Sequence, residues 1–462
     1  MLVKNFDLVI VGKSYLSVLL AMKLIKRGQK VLLLDDERVE IGTLFSDFFG
    51  PIEKKFIESW ASDNAMESFS DIEKLLTPKP YSFVIENKRI RLGRTPSANF
   101  YELYRKLNSL LPLSNDEFTK HVGTEEAREL FDSEFYKLTD RIGKSSYFFK
   151  SLQGLNIDGL LAMCPKGIVD LYNAFSKVVI KRENLSEKDL WFLKSFLVMT
   201  RGLFHKCVDS KLNETEAFHL LLCLLSPSYE LDHEKALEEI IPVFENAGGI
   251  YKRCQLREWK FHNSKPWSVE LSSYEGIVHP EKIVFIGGDL TQMPVTLNER
   301  GKTLKDICVE WHIEGLPDPL LGERIFFSRV DKMGTDIPLW CADVEEGKLN
   351  FKVFSLYEKG SKISFIKDHL RQSLKEDLSL LYPEVGSFRI REKISYGKEL
   401  WPYDLMRTDK RSWFPKKVSL FDGSRPGVNE KLKNVHYFGP RRQTPLGLLS
   451  SLMDLNEMQQ FI

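Results

Sequence analysis

The chain lacks any pair of cysteines at redox or metal-ligand spacing. Its six cysteines (Cys164, Cys207, Cys223, Cys254, Cys308 and Cys341) are scattered along 462 residues without a CxxC, which argues against a zinc site and against a disulfide framework. They read as reduced, mostly buried thiols, so the core must hold the fold. An excess of either charge is also missing. The 66 Lys and Arg residues oppose 65 Asp and Glu, a formal net charge of +1, so there is no global pull toward nucleic acid or anionic lipid. Nucleic acid is not an expected partner. No apolar run approaches the roughly 20 residues of a membrane span, although a peripheral membrane contact through an amphipathic face stays open. The first seven residues carry no signal-type apolar core and no small-residue cleavage site, which predicts a cytoplasmic address. The nine histidines do not cluster, and there is no metal-ligand spacing, nucleophile elbow or phosphate-cradling P-loop. That silence fits a protein whose cofactor carries the chemistry. It equally fits one without chemistry.

What is present begins at the N-terminus. Leu8, Val9, Ile10 and Val11 form a run of apolar residues that ends at Gly12, as expected of a strand buried on both faces of a parallel sheet. Residues 15–27 carry Leu16, Leu19, Leu20 and Leu24 at helical spacing and stop at Gly28, a left-handed C-terminal position. A second apolar strand, Val31 to Leu34, delivers Asp35 at its carboxyl end. A βαβ start with an acid about 20 residues beyond the first glycine is the arrangement of a ribose-binding Rossmann unit. In such a unit the turn after the first strand aims backbone N–H groups and a helix N-terminus at a pyrophosphate. The turn here reads Gly12-Lys13-Ser14-Tyr15-Leu16-Ser17 and keeps one glycine of GxGxxG. Ser17 preserves the small residue needed for packing, whereas Ser14 puts a side chain where backbone would approach phosphate, with a hydroxyl that could donate to it. The blander alternative is an ordinary α/β layer in which Asp35 merely caps a strand.

Three separated stretches resemble the superfamily of flavin-containing amine oxidases, phytoene desaturases and protoporphyrinogen oxidases. The first is the βαβ start continued through Asp35-Asp36-Glu37-Arg38-Val39-Glu40-Ile41-Gly42, where Arg38 and Gly42 match the family's turn beside the flavin and Ile41 and Thr43 depart from it. The second is a helical pattern with Leu237, Ile240, Ile241 and Phe244, kinked or interrupted by Pro242. It is followed by Ala247-Gly248-Gly249, a strand containing Cys254 and Leu256, a hairpin around Pro266 and Gly276, and a return strand ending at Gly287-Gly288. The third is Asn434 to Gly439 with Pro445-Leu446-Gly447, similar to the family's closing motif except that Pro440, followed by Arg441 and Arg442, replaces the acid. The two arginines could pair with a pyrophosphate or form a solvated basic turn.

The resemblance implies an α/β fold: a discontinuous FAD-binding Rossmann-type domain (residues 1–51, 233–300 and 428–462) and an α+β substrate domain (52–232 and 301–427). Gly12, Ser14 and Ser17 would lie at the pyrophosphate, Asp35 at the adenosine ribose, Arg38 and Gly42 beside the cofactor and Leu256 near the adenine. Gly287, Gly439 and Gly447 would let backbone approach FAD. Within the substrate domain, residues 52–232 read as packed helices, for example 189–200 and 214–225, and residues 305–358 alternate like strands. There Val309, Trp311 and Ile313 share one face, which makes His312 a surface or hydrogen-bonded residue rather than a ligand. Residues 364–382 read as an amphipathic helix. Trp401 and Tyr403 could wall a substrate, although core is the commoner role of such residues.

The implied function is an FAD-dependent oxidoreductase acting on a C–N or C–C bond of a small, largely apolar or amine substrate. Its rival is a non-catalytic descendant, a binding or assembly module with a protein partner, motivated by Ser14, the half-matched Gly42 turn and Pro440. No metal site is expected.

Overall fold

The computed structural model describes residues 4–35, 49–63, 72–85, 88–107, 110–111, 113–144, 157–182, 185–204, 214–254, 256–263, 265–272, 276–286, 304–314, 324–328, 339–345, 348–358, 368, 371–372, 375–376, 379, 389–396, 427–428 and 434–438. The chain opens with β1 (Lys4–Val11), α1 (Tyr15–Lys26) and β2 (Val31–Asp35), then α2 (Pro51–Asp63). Strands β3 (Leu76–Pro78), β4 (Tyr81–Ile85) and β5 (Lys88–Leu92) precede α3 (Pro96–Leu107), α4 (Asn115–Val122), α5 (Glu125–Lys144), α6 (Ile157–Leu161), α7 (Lys166–Ser176), α8 (Glu187–Phe204) and α9 (Glu214–Leu225). Next come β6 (Tyr229–Leu231), α10 (His233–Asn246), β7 (Ile250–Arg253), β8 (Leu256–His262), β9 (Lys265–Leu271) and β10 (Ile277–Ile286). The remaining strands are β11 (Leu304–Glu314), β12 (Arg324–Ser328), β13 (Leu339–Glu345), β14 (Lys348–Glu358), β15 (Arg389–Tyr396), β16 (Gly427–Val428) and β17 (Val435–Phe438).

The first sheet runs β16-β17-β10-β1-β2-β7, with the β8–β9 hairpin joined to it through β9 and β10. Strands β17, β10, β1, β2 and β7 are mutually parallel, so segments remote in sequence build one α/β layer. Every residue from Leu8 to Val11 and from Val31 to Leu34 is buried, because a parallel strand covered on both faces has no solvent side to dedicate to polar residues. Leu8, Ile10, Leu33 and Val284 face one core together with α1, and Val9, Val11, Leu32 and Ile283 face the other. Helix α1 ends at Gly28, whose φ of +82° is left-handed and whose N–H donates to the Ile25 carbonyl at 2.7 Å. The glycine thereby satisfies a helix-end acceptor in a conformation a Cβ would resist.

The second sheet runs β15-β11-β14-β13-β12-β4-β5, antiparallel except for the β12–β4 pair. On β11, Trp311 and Ile313 are buried, while His312 is partly exposed with its Nε2 3.7 Å from a Glu314 carboxylate oxygen, as the alternation requires. The region read as helical does hold α3 to α9, but it also contributes the β4–β5 hairpin, which docks on β12 from more than 200 residues away. Tyr81 to Ile85 is buried throughout, Ser82 included, and so short a buried stretch carries no period by which strand and buried helix could be told apart.

Phe83, fully buried on β4, packs edge-on against Phe196 of α8 at 5.6 Å between centroids and against Phe326 of β12 at 5.8 Å. One apolar core runs from Leu8 and Val18 to Phe83 and Phe326 and joins the two sheets through the helices. Helix α10 passes unbroken through Pro242. Pro242 and Glu238, whose carbonyl loses its helical donor, are both exposed, so water can serve the freed acceptor. The described positions of the 364–382 segment (Asp368, Arg371, Gln372, Lys375, Glu376 and Ser379) are helical. No described helix is long and apolar enough to cross a membrane, and the described residues hold no cluster of His, Cys, Asp and Glu suited to a metal ion.

Candidate functional site

The carboxyl ends of β1, β2 and β10 meet at Gly12. Its φ is +119°, its N–H donates to the Leu34 carbonyl at 2.9 Å, and a Cβ there would sit 2.2 Å from the Ile286 carbonyl oxygen. Only glycine satisfies both the backbone angle and that close approach. The chain leaves β1 for β2 on one side and returns through β10 on the other, so Gly12 lies where the order of travel reverses. In open α/β sheets the crevice outside the strand ends at such a reversal is where ligands bind.

Helix α1 starts just beyond, with Ser14 as its N-cap in extended conformation. The Ser17 N–H donates to Ser14 Oγ at 3.0 Å, and the Ser14 N–H donates to Ser17 Oγ at 2.7 Å. The Ser17 hydroxyl in turn donates to the Ser14 carbonyl at 2.7 Å. Two donors that a GxGxxG turn leaves open are here bonded to the chain's own hydroxyls, in the reciprocal manner of a capping box. Ser17 is fully buried, in keeping with the packing role expected of a small residue.

Asp35 is buried at the end of β2. Its carboxylate Oδ2 accepts from the Tyr251 hydroxyl at 2.6 Å and lies 3.5 Å from the Lys13 ammonium, while its backbone carbonyl accepts from the Cys254 N–H at 3.1 Å. Tyr251 reaches Asp35 because β7 pairs in parallel with β2, Leu33 opposite Tyr251. Burial, reinforced by the hydrogen bond to Asp35, pushes the Tyr251 phenol well above its ordinary value, so the hydroxyl stays a donor. The strand expected to hold both Cys254 and Leu256 is in fact two. β7 ends at Arg253, and Leu256 opens β8 opposite Leu271 of β9, because the chain leaves the parallel sheet there to form the antiparallel hairpin.

Gly12, Ser14, Ser17 and Asp35 are thus gathered at one sheet edge. Arg38, Gly42, Gly287, Trp401, Tyr403, Gly439, Pro440, Arg441, Arg442 and Gly447 lie outside the described residues. The strands leading to Gly287 and Gly439 end side by side, Ile286 opposite Phe438, and Ile286 is the residue that touches Gly12. Sequence reasoning missed Lys13, Tyr251 and His436. Lys13 stood inside the quoted motif, and Tyr251 followed the Gly248-Gly249 pair by two positions, but neither has a one-dimensional signal for its partner. His436 sits on β17 opposite Val284. It is buried with no hydrogen-bond partner for Nδ1 among the described residues. Burial, and secondarily the Lys282 charge, lowers its pKa below 6.5, which keeps the ring neutral.

No family model matches the chain, and no curated protein matches it in sequence. Among solved structures it is similar to Rab GDI from Plasmodium falciparum, at 12% identity and a TM-score of 0.48 over 99% of this chain and 98% of that one. It is also similar to a geranylgeranyl bacteriochlorophyll reductase-like protein from Thermoplasma acidophilum (9%, TM-score 0.44, 99% and 80%). A third is glycerol-3-phosphate dehydrogenase from Bacillus halodurans complexed with FAD (11%, TM-score 0.39, 86% and 58%). Likenesses this distant assign no activity.

Proposed function

We propose that the edge formed by Gly12, α1 and Asp35 binds the adenosine diphosphate half of FAD and that the chain is an FAD-dependent oxidoreductase. One observation carries the reading: a glycine locked against the Ile286 carbonyl and a buried carboxylate share the crevice where a parallel sheet reverses its order. The residues fit that half of the cofactor. Asp35 offers a carboxylate acceptor for ribose hydroxyls, held by Tyr251, and the N-terminus of α1 faces the place of a pyrophosphate, where its partial positive charge favours an anion. When bound, the flavin would supply two-electron, hydride-accepting chemistry. The chain itself supplies orientation and dryness: the walls below the edge are the apolar residues of β1, β2 and β10. A small, largely apolar or amine substrate oxidised at a C–N or C–C bond suits such a site, with Trp401 and Tyr403 as candidate walls.

A second reading is favoured by the hydroxyls of Ser14 and Ser17, which occupy each other's N–H donors. A turn satisfied from within can persist after a cofactor is lost, and the chain would then be a non-catalytic binding or assembly module that takes a protein partner. The visible absorption spectrum of the purified protein, before and after addition of FAD and after denaturation, separates the two. Flavin bands near stoichiometry uphold the oxidoreductase. No bands and no uptake of added FAD overturn it in favour of the module.

A further inference from the structure

From the contacts around Asp35 we infer that Lys13 is a phosphate-binding residue parked on the ribose acid. It pairs with Asp35 when the crevice is empty and turns to the pyrophosphate when a ribose hydroxyl takes its place. The inference rests on the dinucleotide reading and assigns a role to a residue outside the GxGxxG glycines.

Three observations carry it. Lys13 is the only charged residue of the turn made by Gly12, Lys13 and Ser14, so it stands where a pyrophosphate would lie. Its ammonium is 3.5 Å from Asp35 Oδ2, yet its side chain is 39% exposed against 10% for Asp35, so the lysine can leave while the acid stays. The donors that would otherwise serve the phosphates are engaged, the Ser14 N–H by Ser17 Oγ and the Ser17 N–H by Ser14 Oγ. A pyrophosphate therefore meets a turn with fewer open N–H groups than a glycine-rich one, and a mobile ammonium is the compensating charge at hand.

Tyr251 has a different role. It is part of β7, bonds the same Oδ2 at 2.6 Å and packs against the core, so it stays in place and fixes the carboxylate. Tyr251 is a positioning residue for the ribose contact, and Lys13 exchanges partners.

The two roles separate by ligand. The full chain, freed of any flavin it retains, is titrated with adenosine and with ADP, by NMR for the weaker ligand and calorimetry for the tighter. Lys13→Met is expected to weaken ADP about tenfold, the loss of a charge-assisted bond to phosphate, and to leave adenosine unchanged or tighter because Asp35 is released. The ADP affinity of the wild type should fall with salt, and that of the variant should fall less. Tyr251→Phe is expected to weaken both ligands by a similar factor, with an unchanged salt response. If Lys13→Met leaves ADP unaffected, or weakens adenosine as much as ADP, the lysine is structural and the inference is overturned while the dinucleotide reading stands. If the wild type binds neither ligand, the dinucleotide reading fails and takes the inference with it. Far-UV circular dichroism of each variant shows that the fold is retained.

Discussion

The polar groups that bridge elements around the second sheet differ from those gathered at the Gly12 edge of the first. Around the second sheet several such groups are tied off. Asn99, fully buried, donates to the Leu225 carbonyl at 2.9 Å and the Ser226 carbonyl at 3.1 Å, and Asp132 accepts from the Ser97 N–H at 2.7 Å and hydroxyl at 2.9 Å. Arg324 meets Glu230 at 3.0 Å, with its own side chain almost wholly buried. Each of these bonds joins elements distant in sequence, and its loss would leave a desolvated group without its partner. The parallel sheet keeps Leu8 to Val11 and Val31 to Leu34 apolar and buried and brings Lys13 and Tyr251 onto Asp35 at their carboxyl end, where Lys13 is partly exposed and Asp35 can change partners. Polar groups that stitch a core must be fixed, whereas those that receive a ligand must be held by a bond the ligand can replace.

The largest test of the contrast lies in the second sheet. Phe83→Ala removes a fully buried ring packed on Phe196 and Phe326 and should cost about 3–5 kcal/mol, read as a lowered denaturant midpoint. Any nucleotide binding by the remaining folded protein should keep its affinity, since the ring packs on Phe196 and Phe326, in the second sheet and the helix against it. A change at the binding edge as large as the change in stability would break the contrast.

Gly12→Ala should act at the other sheet. A left-handed φ and a Cβ 2.2 Å from the Ile286 carbonyl oxygen together should cost on the order of 3 kcal/mol, measured in the same way, with binding lost as well. A variant of wild-type stability would mean that β1 and β10 do not approach as described.

The smallest expected effect is in the response to acid. His436 is neutral when folded because burial lowers its pKa, so below about pH 6.5 the unfolded chain binds a proton that the folded chain refuses. Stability from this residue is present above pH 6.5 and is lost as pH falls toward the lowered folded value. Denaturant midpoints at pH 5.5 and 7.5 should therefore differ less in His436→Gln than in the wild type. An equal difference would show that the imidazole titrates normally.

Legibility in the sequence followed the range of the interaction. The β1–α1–β2 start was readable because Leu8 to Val11, the helical leucines, Gly28 and Asp35 are neighbours whose spacing reports local geometry. The return of residues 277–286 and 435–438 to the same sheet came from motif order in a resembling family, since apolar strands of four to ten residues carry no address of their own. The β4–β5 hairpin was hidden inside a helical region, and the break between β7 and β8 fell where Cys254 and Leu256 looked continuous. At the site, Gly12, Ser14, Ser17 and Asp35 were legible as a pattern. What their atoms do was not, because Ser17 Oγ could as readily have faced a ligand as the Ser14 N–H.

By itself the sequence determined that a parallel α/β unit opens the chain and that one glycine and one acid terminate its first two strands. These follow from burial periods and backbone preferences that act over a few residues. Only the tertiary structure decided that Ile286 closes on Gly12, that Tyr251 holds Asp35, and that Lys13 rests on that acid. Each of those pairs joins strands or turns whose proximity is set by sheet order and register: Gly12 and Ile286, and Asp35 and Tyr251, lie more than 200 positions apart, and even Lys13 and Asp35 meet only because β1 and β2 end side by side, so no period in the sequence announces either partner.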